Sequence, residues 1–352
     1  MNSKFALPGV DAATPLREAA PALLLAKAGP LFALEEAARG GADADAVHDM
    51  RVASRRLREA LRLLEPLLPR KEFRRWYRRV RDVTRALGPV RDSDVFIEDF
   101  SRLAGRVGDE GRRAVTFFVG YRMGQREQEL VALDGALSRL DLAESRASLE
   151  RLGRSLGGAD AVRPYADFAH AAVAERAAVV FGAQPVALDE ANVPEQHALR
   201  IDYKRLRYAV EAFAPCYGDA FDILHATLTA FQDTLGELHD VHVFAEMVRD
   251  PARAEAARTA GVTDAGLDEV VTVLDGRARE RFAAFAALAE AHPADKLLPA
   301  LLLPLARRPV AAVETARDDA SAEAAIAASA LELPVESPVV VGDEPWAEGW
   351  DE

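Results

Sequence analysis

Cysteine is nearly absent from this chain, since Cys216 is the single cysteine among 352 residues. No intrachain disulfide can form, and we expect a reducing, cytoplasmic setting. Aromatic residues are also scarce, at 7%, while alanine is abundant, and this balance favours helix. Long apolar runs are missing: residues 23–34 are interrupted by Lys27, Gly29 and Pro30, so the sequence predicts neither a membrane span nor a secretory signal.

Positive charge is deficient overall but concentrated in one segment. The chain has a formal net charge of −13 and a pI near 5.2, which argues against a general nucleic-acid binder. Residues 48–91 nevertheless hold fourteen Arg and Lys against five Asp and Glu, a local net charge of +9. Such a segregated charge predicts either a solvated basic face or a surface that meets a polyanion.

One pattern, HxxRxxx[RK]RLR, begins at His48 and again at His197. Within the first copy, the spacing of 3, 4, 3 and 4 residues places a series of basic side chains on one face of a helix. Apolar residues such as Met50 and Leu57 occupy a different face at the same period, which predicts a packed amphipathic helix. The basic series of the first copy is His48, Arg51, Arg55, Arg58 and Arg62.

A second arginine series follows on the next predicted helix, and the two halves of the chain differ there. In the first half this series is Arg74, Arg78, Arg81 and Arg85. The corresponding positions of the second half are Asp222, Ala226, Thr229 and Asp233. Glu211 also stands at the position that corresponds to Arg62. We therefore predict that the first half supplies most of the affinity for an anionic ligand.

Order and spacing of the motifs indicate a duplicated helical unit. The fold class predicted is all-α, and duplicated bundles commonly pack about a pseudo-two-fold axis, which would bring the two basic helices towards a shared groove. Gly88-Pro89 is expected to end one helix, with another starting near Arg91. The predicted divisions are a flexible tail over 1–14, a first bundle over 15–157, a second bundle over 158–310 and an acidic, disordered tail over 311–352.

The C-terminal segment has its own composition. From Glu314 to Glu352 there are eleven acidic residues and one arginine, Arg317. We consider two interpretations of this segment. It is an appendage that aids solubility, or it folds back and competes with an anionic ligand for the basic groove.

The helix HxxRxxxRRLR followed by LGxxRDxxV, present twice in a chain that reads as all-helical, resembles the CHAD family, the conserved-histidine α-helical domain. The resemblance covers about residues 15–305. It implies two pseudo-symmetric antiparallel helical bundles with a basic central groove or pore. It also implies a stand-alone member that binds inorganic polyphosphate, with placement at polyphosphate granules as a further expectation. The polyphosphate-binding residues predicted are His48, Arg51, Arg55, Arg56, Arg58, Arg62, Arg74, Arg78, Arg81, Arg85, His197, Arg200, Lys204, Arg205 and Arg207.

Enzymatic chemistry has no sequence support: we find no nucleophile–base pair, phosphate-binding glycine loop or carboxylate cluster. The chain is therefore predicted to be a non-enzymatic binder without cofactor or metal. The motif histidines could anchor the bundle, contact phosphate or bind a metal, and His239 with His242 has a spacing that could suit a metal. Asp92 and Asp240 are expected to cap a helix or orient a motif arginine. A granule-coat protein and a nucleic-acid binder are the alternative functions.

Overall fold

The computed structural model describes residues 5–39, 43–138, 142–155 and 162–306. Across these four ranges the chain forms twelve α-helices and no strand, so the all-α prediction is confirmed. No helix in this part of the chain is long and apolar enough to cross a bilayer. The helices are α1 Leu16–Ala33, α2 Glu35–Ala38, α3 Ala44–Leu64, α4 Arg70–Leu103, α5 Asp109–Ser138, α6 Leu142–Arg154, α7 Tyr165–Ala187, α8 Val193–Ala212, α9 Ala220–Arg249, α10 Pro251–Thr259, α11 Asp264–Ala291 and α12 Ala294–Ala306.

Helix α3 carries the first basic motif, and local sequence explains both of its ends. At the start, the Asp43 carboxylate accepts hydrogen bonds from the backbone N–H groups of Asp45 and Ala46, which an N-cap residue does for an otherwise unpaired first turn. At the end, the chain passes into a short 3₁₀ turn containing Pro66. The apolar stripe, with Met50 and Leu57 at 0% exposure, is buried as its spacing predicts.

The predicted helix break at Gly88-Pro89 is wrong, because α4 continues through both residues. Pro89 is exposed, so water can satisfy the backbone carbonyl that its missing N–H leaves unpaired. Leu87 and Val90 on either side are fully buried and keep the apolar stripe in register. In the second half, α9 likewise continues without a break through Gly236. Packing on both sides therefore overrides the local signal to stop.

Two hydrophobic cores lie along these long helices, and each draws on both halves of the sequence. The first joins side chains of α1, α3, α7, α8 and α12 with the N-terminal parts of α4 and α9. The second joins α5, α10 and α11 with the C-terminal parts of α4 and α9. Phe96, Phe100, Phe118 and Phe244 form the aromatic centre of the second core. The predicted division between residues 157 and 158 lies outside the described residues and stays a prediction.

Helix pairing follows the same order in the two halves. Helix α3 packs on α1 and α4, and α8 packs on α7 and α9; α4 packs on α5, and α9 on α11. The two series meet where α3 contacts α8 and where α5 contacts α11. The parallel order supports the predicted duplication, while the duplication and the central groove remain predictions.

Part of the predicted N-terminal tail is buried in the structure. Phe5 and Leu7, within the segment predicted as a flexible tail, are buried in the first core at 4% exposure each. That part of residues 1–14 packs on the protein. The predicted acidic tail over 311–352 lies outside the described residues.

The aromatic centre of the second core yields the first prediction. Phe244→Ala should lower the free energy of unfolding by about 3–5 kcal/mol, because it removes a large buried ring and leaves a cavity. Urea denaturation followed by circular dichroism measures the change. Met123→Ala, at a residue that is 53% exposed, should change it by less than about 0.5 kcal/mol. Equal losses in the two variants would contradict the assignment of this core.

Candidate functional site

The two motif helices meet along a narrow cleft, and positive side chains from both line it. Arg56 of α3 pairs with Glu211 of α8, whereas Arg62 and Arg205 lie together farther along, so the helices run in opposite directions. The cleft has a volume of about 10 Å³, enough for about one water molecule. We call it the α3–α8 cleft, and its lining is Arg55, Arg58, Glu59, Arg62, Ile201, Lys204, Arg205 and Tyr208.

Most motif cations are buried, which the spacing alone did not predict. Six of them are at most 7% exposed, and a cation withdrawn from water in this way is costly unless carboxylates or other acceptors face it. The half-buried members of the predicted set include Arg56, Arg62 and Arg205. The six buried members are Arg51, Arg55, Arg58, Arg200, Lys204 and Arg207.

An aspartate from the following helix faces the first arginine of each motif. The Arg51 Nη2 lies 3.6 Å from an Asp92 oxygen, and Arg51 is only 2% exposed. In the second half, burial raises the pKa of Asp240 well above its ordinary range, although Arg200 attracts its charged form. Asp92 and Asp240 lie in the middle of α4 and α9, so neither caps a helix. The alternative expectation, that they orient a motif arginine, fits the Arg51 contact.

Glu211 holds together the most buried ionic cluster of the site. Its carboxylate accepts from Arg56 Nε at 2.8 Å, from Arg207 Nη1 at 2.6 Å, and contacts His225 Nε2 at 3.0 Å. Burial raises the pKa of Glu211, but the attraction of Arg207 and Arg56 and the hydrogen bond with His225 outweigh it and hold that pKa far below its usual value. Arg207 also donates to Gln232 at 2.7 Å. Arg56 and Arg207 therefore provide the positive counter-charges of this buried carboxylate.

The two motif histidines lie in different surroundings. His48 lines a separate cavity of about 220 Å³ beside Lys27, Asp49 and Arg56. The Nδ1 atoms of His197 and His239 lie 3.0 Å apart, so one of these rings must donate a hydrogen bond to the other. Burial, and then the nearby Arg200, lower the pKa of His239 to about 2, which keeps it neutral. Among the residues described, no three His, Cys, Asp or Glu side chains are grouped to hold a metal.

The second arginine series lies on the surface of α4. Arg74, Arg78 and Arg85 are exposed and Arg81 is partly exposed, beside Asp82. Arg62 of α3 stands over the Tyr77 ring at 5.2 Å, and Tyr77 shares a helical face with this series. The α4 arginines thus begin next to the α3–α8 cleft. Their counterparts on α9 are also solvent-accessible but supply no cation, the four being Asp222, Ala226, Thr229 and Asp233.

Sequence reasoning missed one cation of the site. Arg176 of α7 donates two hydrogen bonds to Glu59, from Nη2 at 2.8 Å and from Nε at 3.0 Å. It thereby pairs with the carboxylate that lines the α3–α8 cleft. No motif surrounds Arg176, and the contact joins residues 117 positions apart, so nothing in the local sequence could have revealed it.

Comparison with known proteins decides the family. A family model described as the CHAD domain matches residues 22–249, about two thirds of the chain. The chain belongs to the CHAD family. The match confirms the resemblance that the paired motifs indicated. The matched segment of this CHAD domain ends before α10 begins.

Two solved structures resemble this CHAD domain in fold. The crystal structure of the CHAD domain from the plant Ricinus communis is 24% identical, with a TM-score of 0.56, and covers 86% of this chain and 96% of that one. PptA from Streptomyces chartreusis is 17% identical, with a TM-score of 0.60, and covers 79% of this chain and 100% of that one. At these identities the likeness shows the fold alone. No curated protein matches the chain.

The Glu211 cluster gives a prediction with a defined pH dependence. Glu211→Gln should lower the free energy of unfolding by about 3–5 kcal/mol at pH 7, because Arg56 and Arg207 lose their buried counter-charge. Since the folded-state pKa of Glu211 is depressed, its stabilisation is present above the unfolded value of about 4.3 and is lost as pH falls below it. Wild type should therefore lose stability below about pH 5 more steeply than the variant.

Chemical denaturation between pH 7 and pH 3 measures both effects. The matched control is Glu98→Gln, which removes a carboxylate from an exposed pair with Arg102 and should cost less than about 0.5 kcal/mol. A Glu211→Gln variant as stable as this control would show that the cluster contributes little to folding.

Proposed function

We propose that this CHAD domain binds inorganic polyphosphate without catalysing a reaction, through the α3–α8 cleft and the arginines beside it. The observation that carries the proposal is the lining of that cleft, in which five cations from two helices face a single carboxylate, Glu59. Further support is that CHAD-domain proteins are in general linked to polyphosphate. Placement at polyphosphate granules is a finer proposal that follows from the same ligand.

Electrostatic repulsion explains why such a cleft favours a polyanion. Like charges held close together repel one another, and low exposure weakens the screening by water. A chain of phosphates would reverse the sign of this energy. Arginine suits the task because its guanidinium stays charged and can donate two hydrogen bonds to one phosphate.

The narrowness of the cleft limits where the ligand can lie. A space of about 10 Å³ is too small for a phosphate group, so the chain would lie along the mouth of the cleft. There it would contact the partly exposed Arg62 and Arg205 and continue over the α4 arginines. Buried cations such as Arg55 and Lys204 would act mainly through their electric field. The acidic remainder of the protein would steer the polymer to this region.

The first functional prediction concerns the mouth of the cleft. Arg62→Gln with Arg205→Gln should weaken binding of long-chain polyphosphate about tenfold at low salt, from two partly exposed contacts of about 0.7 kcal/mol each. The plot of log affinity against log salt should flatten by about 1.4, the value expected when two contacts to a flexible polyanion are lost. Calorimetry at graded ionic strength measures both quantities.

A matched control lies on α10. Arg253→Gln with Arg258→Gln removes the same charge, and these two arginines also pair with nearby aspartates at the surface. Affinity and salt dependence should stay as in wild type. An equal loss in the two double variants would mean that only net charge matters, and the proposed site would be abandoned. DNA should fail to displace bound polyphosphate in the same assay.

The asymmetry between α4 and α9 gives a further prediction. Arg78→Ala should weaken polyphosphate binding about threefold, whereas Ala226→Arg should strengthen it about threefold, each from one exposed charged contact. Ala226 is exposed at the position on α9 that corresponds to Arg78. Ala256→Arg on α10 adds the same charge at an exposed site elsewhere and should have no effect. A gain from Ala256→Arg equal to that from Ala226→Arg would exclude a contribution from the α9 face.

A further inference from the structure

A second and larger cleft adjoins the α3–α8 cleft. It lies between α7, the C-terminal end of α3 and α8, and has a volume of about 670 Å³. Sites for small organic ligands commonly measure about 300–1,000 Å³. We call it the α7 cleft. Glu59, Arg62 and Arg205 line both clefts, so the two are continuous at that end.

One wall of the α7 cleft is apolar. Leu63 and Leu67 contribute from the end of α3 and the turn after it, and Phe168, Ala172 and Val179 contribute from α7. Val179 is 50% exposed and Leu67 and Ala172 are half-buried, so these three are open to a ligand, whereas Leu63 and Phe168 are buried beneath them. A bare phosphate chain would gain nothing from such a surface, whereas a planar organic group would be removed from water against it.

The α7 cleft is lined by four carboxylates and four arginines, so, unlike the α3–α8 cleft, it has no net positive charge to attract a bare polyanion. Glu59 is neutralised by Arg176, and Asp202 lies 3.3 Å from Arg205. Glu65 and Glu175, by contrast, are exposed at the cleft. Exposed carboxylates repel phosphate but can accept hydrogen bonds from hydroxyl and amino groups. The ligand that fits such a lining carries hydrogen-bond donors on an organic body and negative charge at one end.

We propose that the α7 cleft binds the nucleoside part of a nucleoside polyphosphate. The phosphates would extend past Arg62 and Arg205 along the mouth of the α3–α8 cleft, while the base lies against Val179, above the nearly buried Phe168. Sugar hydroxyls and base amino groups would donate to Glu65 and Glu175. This inference rests on the proposed function in one respect, since the same cations would hold the phosphates.

The decisive comparison is between ATP and inorganic tripolyphosphate, measured by calorimetry on the full chain without divalent cations. Tripolyphosphate carries at least as much negative charge, so electrostatics alone would favour it. We expect ATP to bind at least about tenfold more tightly, because burial of the base against the apolar wall adds to the phosphate contacts. Adenosine alone should bind far more weakly than ATP.

Two substitutions on α7 locate the effect. Ala171 is exposed and lines the α7 cleft, so Ala171→Phe should fill it and abolish the preference for ATP while leaving affinity for long polyphosphate unchanged. Ala178 is exposed on the same helix outside the lining, and Ala178→Phe should alter neither ligand's affinity. Val179→Asp, which places a carboxylate on the apolar wall, should act as Ala171→Phe does.

Equal affinity for ATP and tripolyphosphate would overturn the inference, as would an ATP preference that survives both Ala171→Phe and Val179→Asp. Either result leaves the proposed function intact if long polyphosphate still binds with the predicted salt dependence. Failure of long polyphosphate to bind, together with an ATP preference abolished by Ala171→Phe, would instead support the nucleotide site and refute polyphosphate as the ligand.

Discussion

Six cations of the two motif helices are almost inaccessible to water, and the protein must compensate each of them. Removing an ion from water costs several kcal/mol unless opposite charges or hydrogen-bond acceptors surround it. Four acidic side chains provide this compensation. Glu59 and Glu211 lie beside the contact of α3 with α8, and Asp92 and Asp240 lie on the neighbouring helices α4 and α9. The positions of α4, α7 and α9 around the motif helices are thus tied to charge neutralisation as well as to apolar packing.

The ion pairs at the mouth of the α3–α8 cleft are longer than those in its interior. Inside, Arg56 and Arg207 share Glu211, and this cluster joins the two helices. Toward solvent, Arg62 and Arg205 lie near one another, at 3.6 Å from Glu59 and 3.3 Å from Asp202. For the proposed polyanion, cations that are already held side by side would lower the cost of ordering the site on binding.

Periodicity in the sequence was sufficient to predict the helices and their apolar faces, because one repeat of 3.6 residues governs both. Met50 and Leu57 are buried as their spacing predicts. The stop predicted at Gly88-Pro89 was wrong because packing on both sides of Pro89 outweighs the local cost of a proline. Family membership was also predictable, since it depends on motifs that are continuous in sequence.

The candidate site was only partly predictable, and the limit has a physical origin. Spacing places Arg51 and Arg55 on one helical face, but it does not say which neighbouring helix covers that face. Their burial depends on contacts between distant parts of the chain, as does the pairing of Arg176 with Glu59. The sequence shows that the second half has Glu211 where the first half has Arg62. The role of Glu211 as counter-charge to Arg56 and Arg207, however, could be recognised only in the structure.

Helices α4 and α9 each pass through both cores, and this has a consequence for how the molecule could be divided. A cut in the segment that joins α6 to α7 would leave two polypeptides, each with two long helices and an incomplete share of either core. Neither piece could bury its apolar surface alone, and the surfaces they expose are complementary to each other. The two halves of the chain therefore depend on each other to fold.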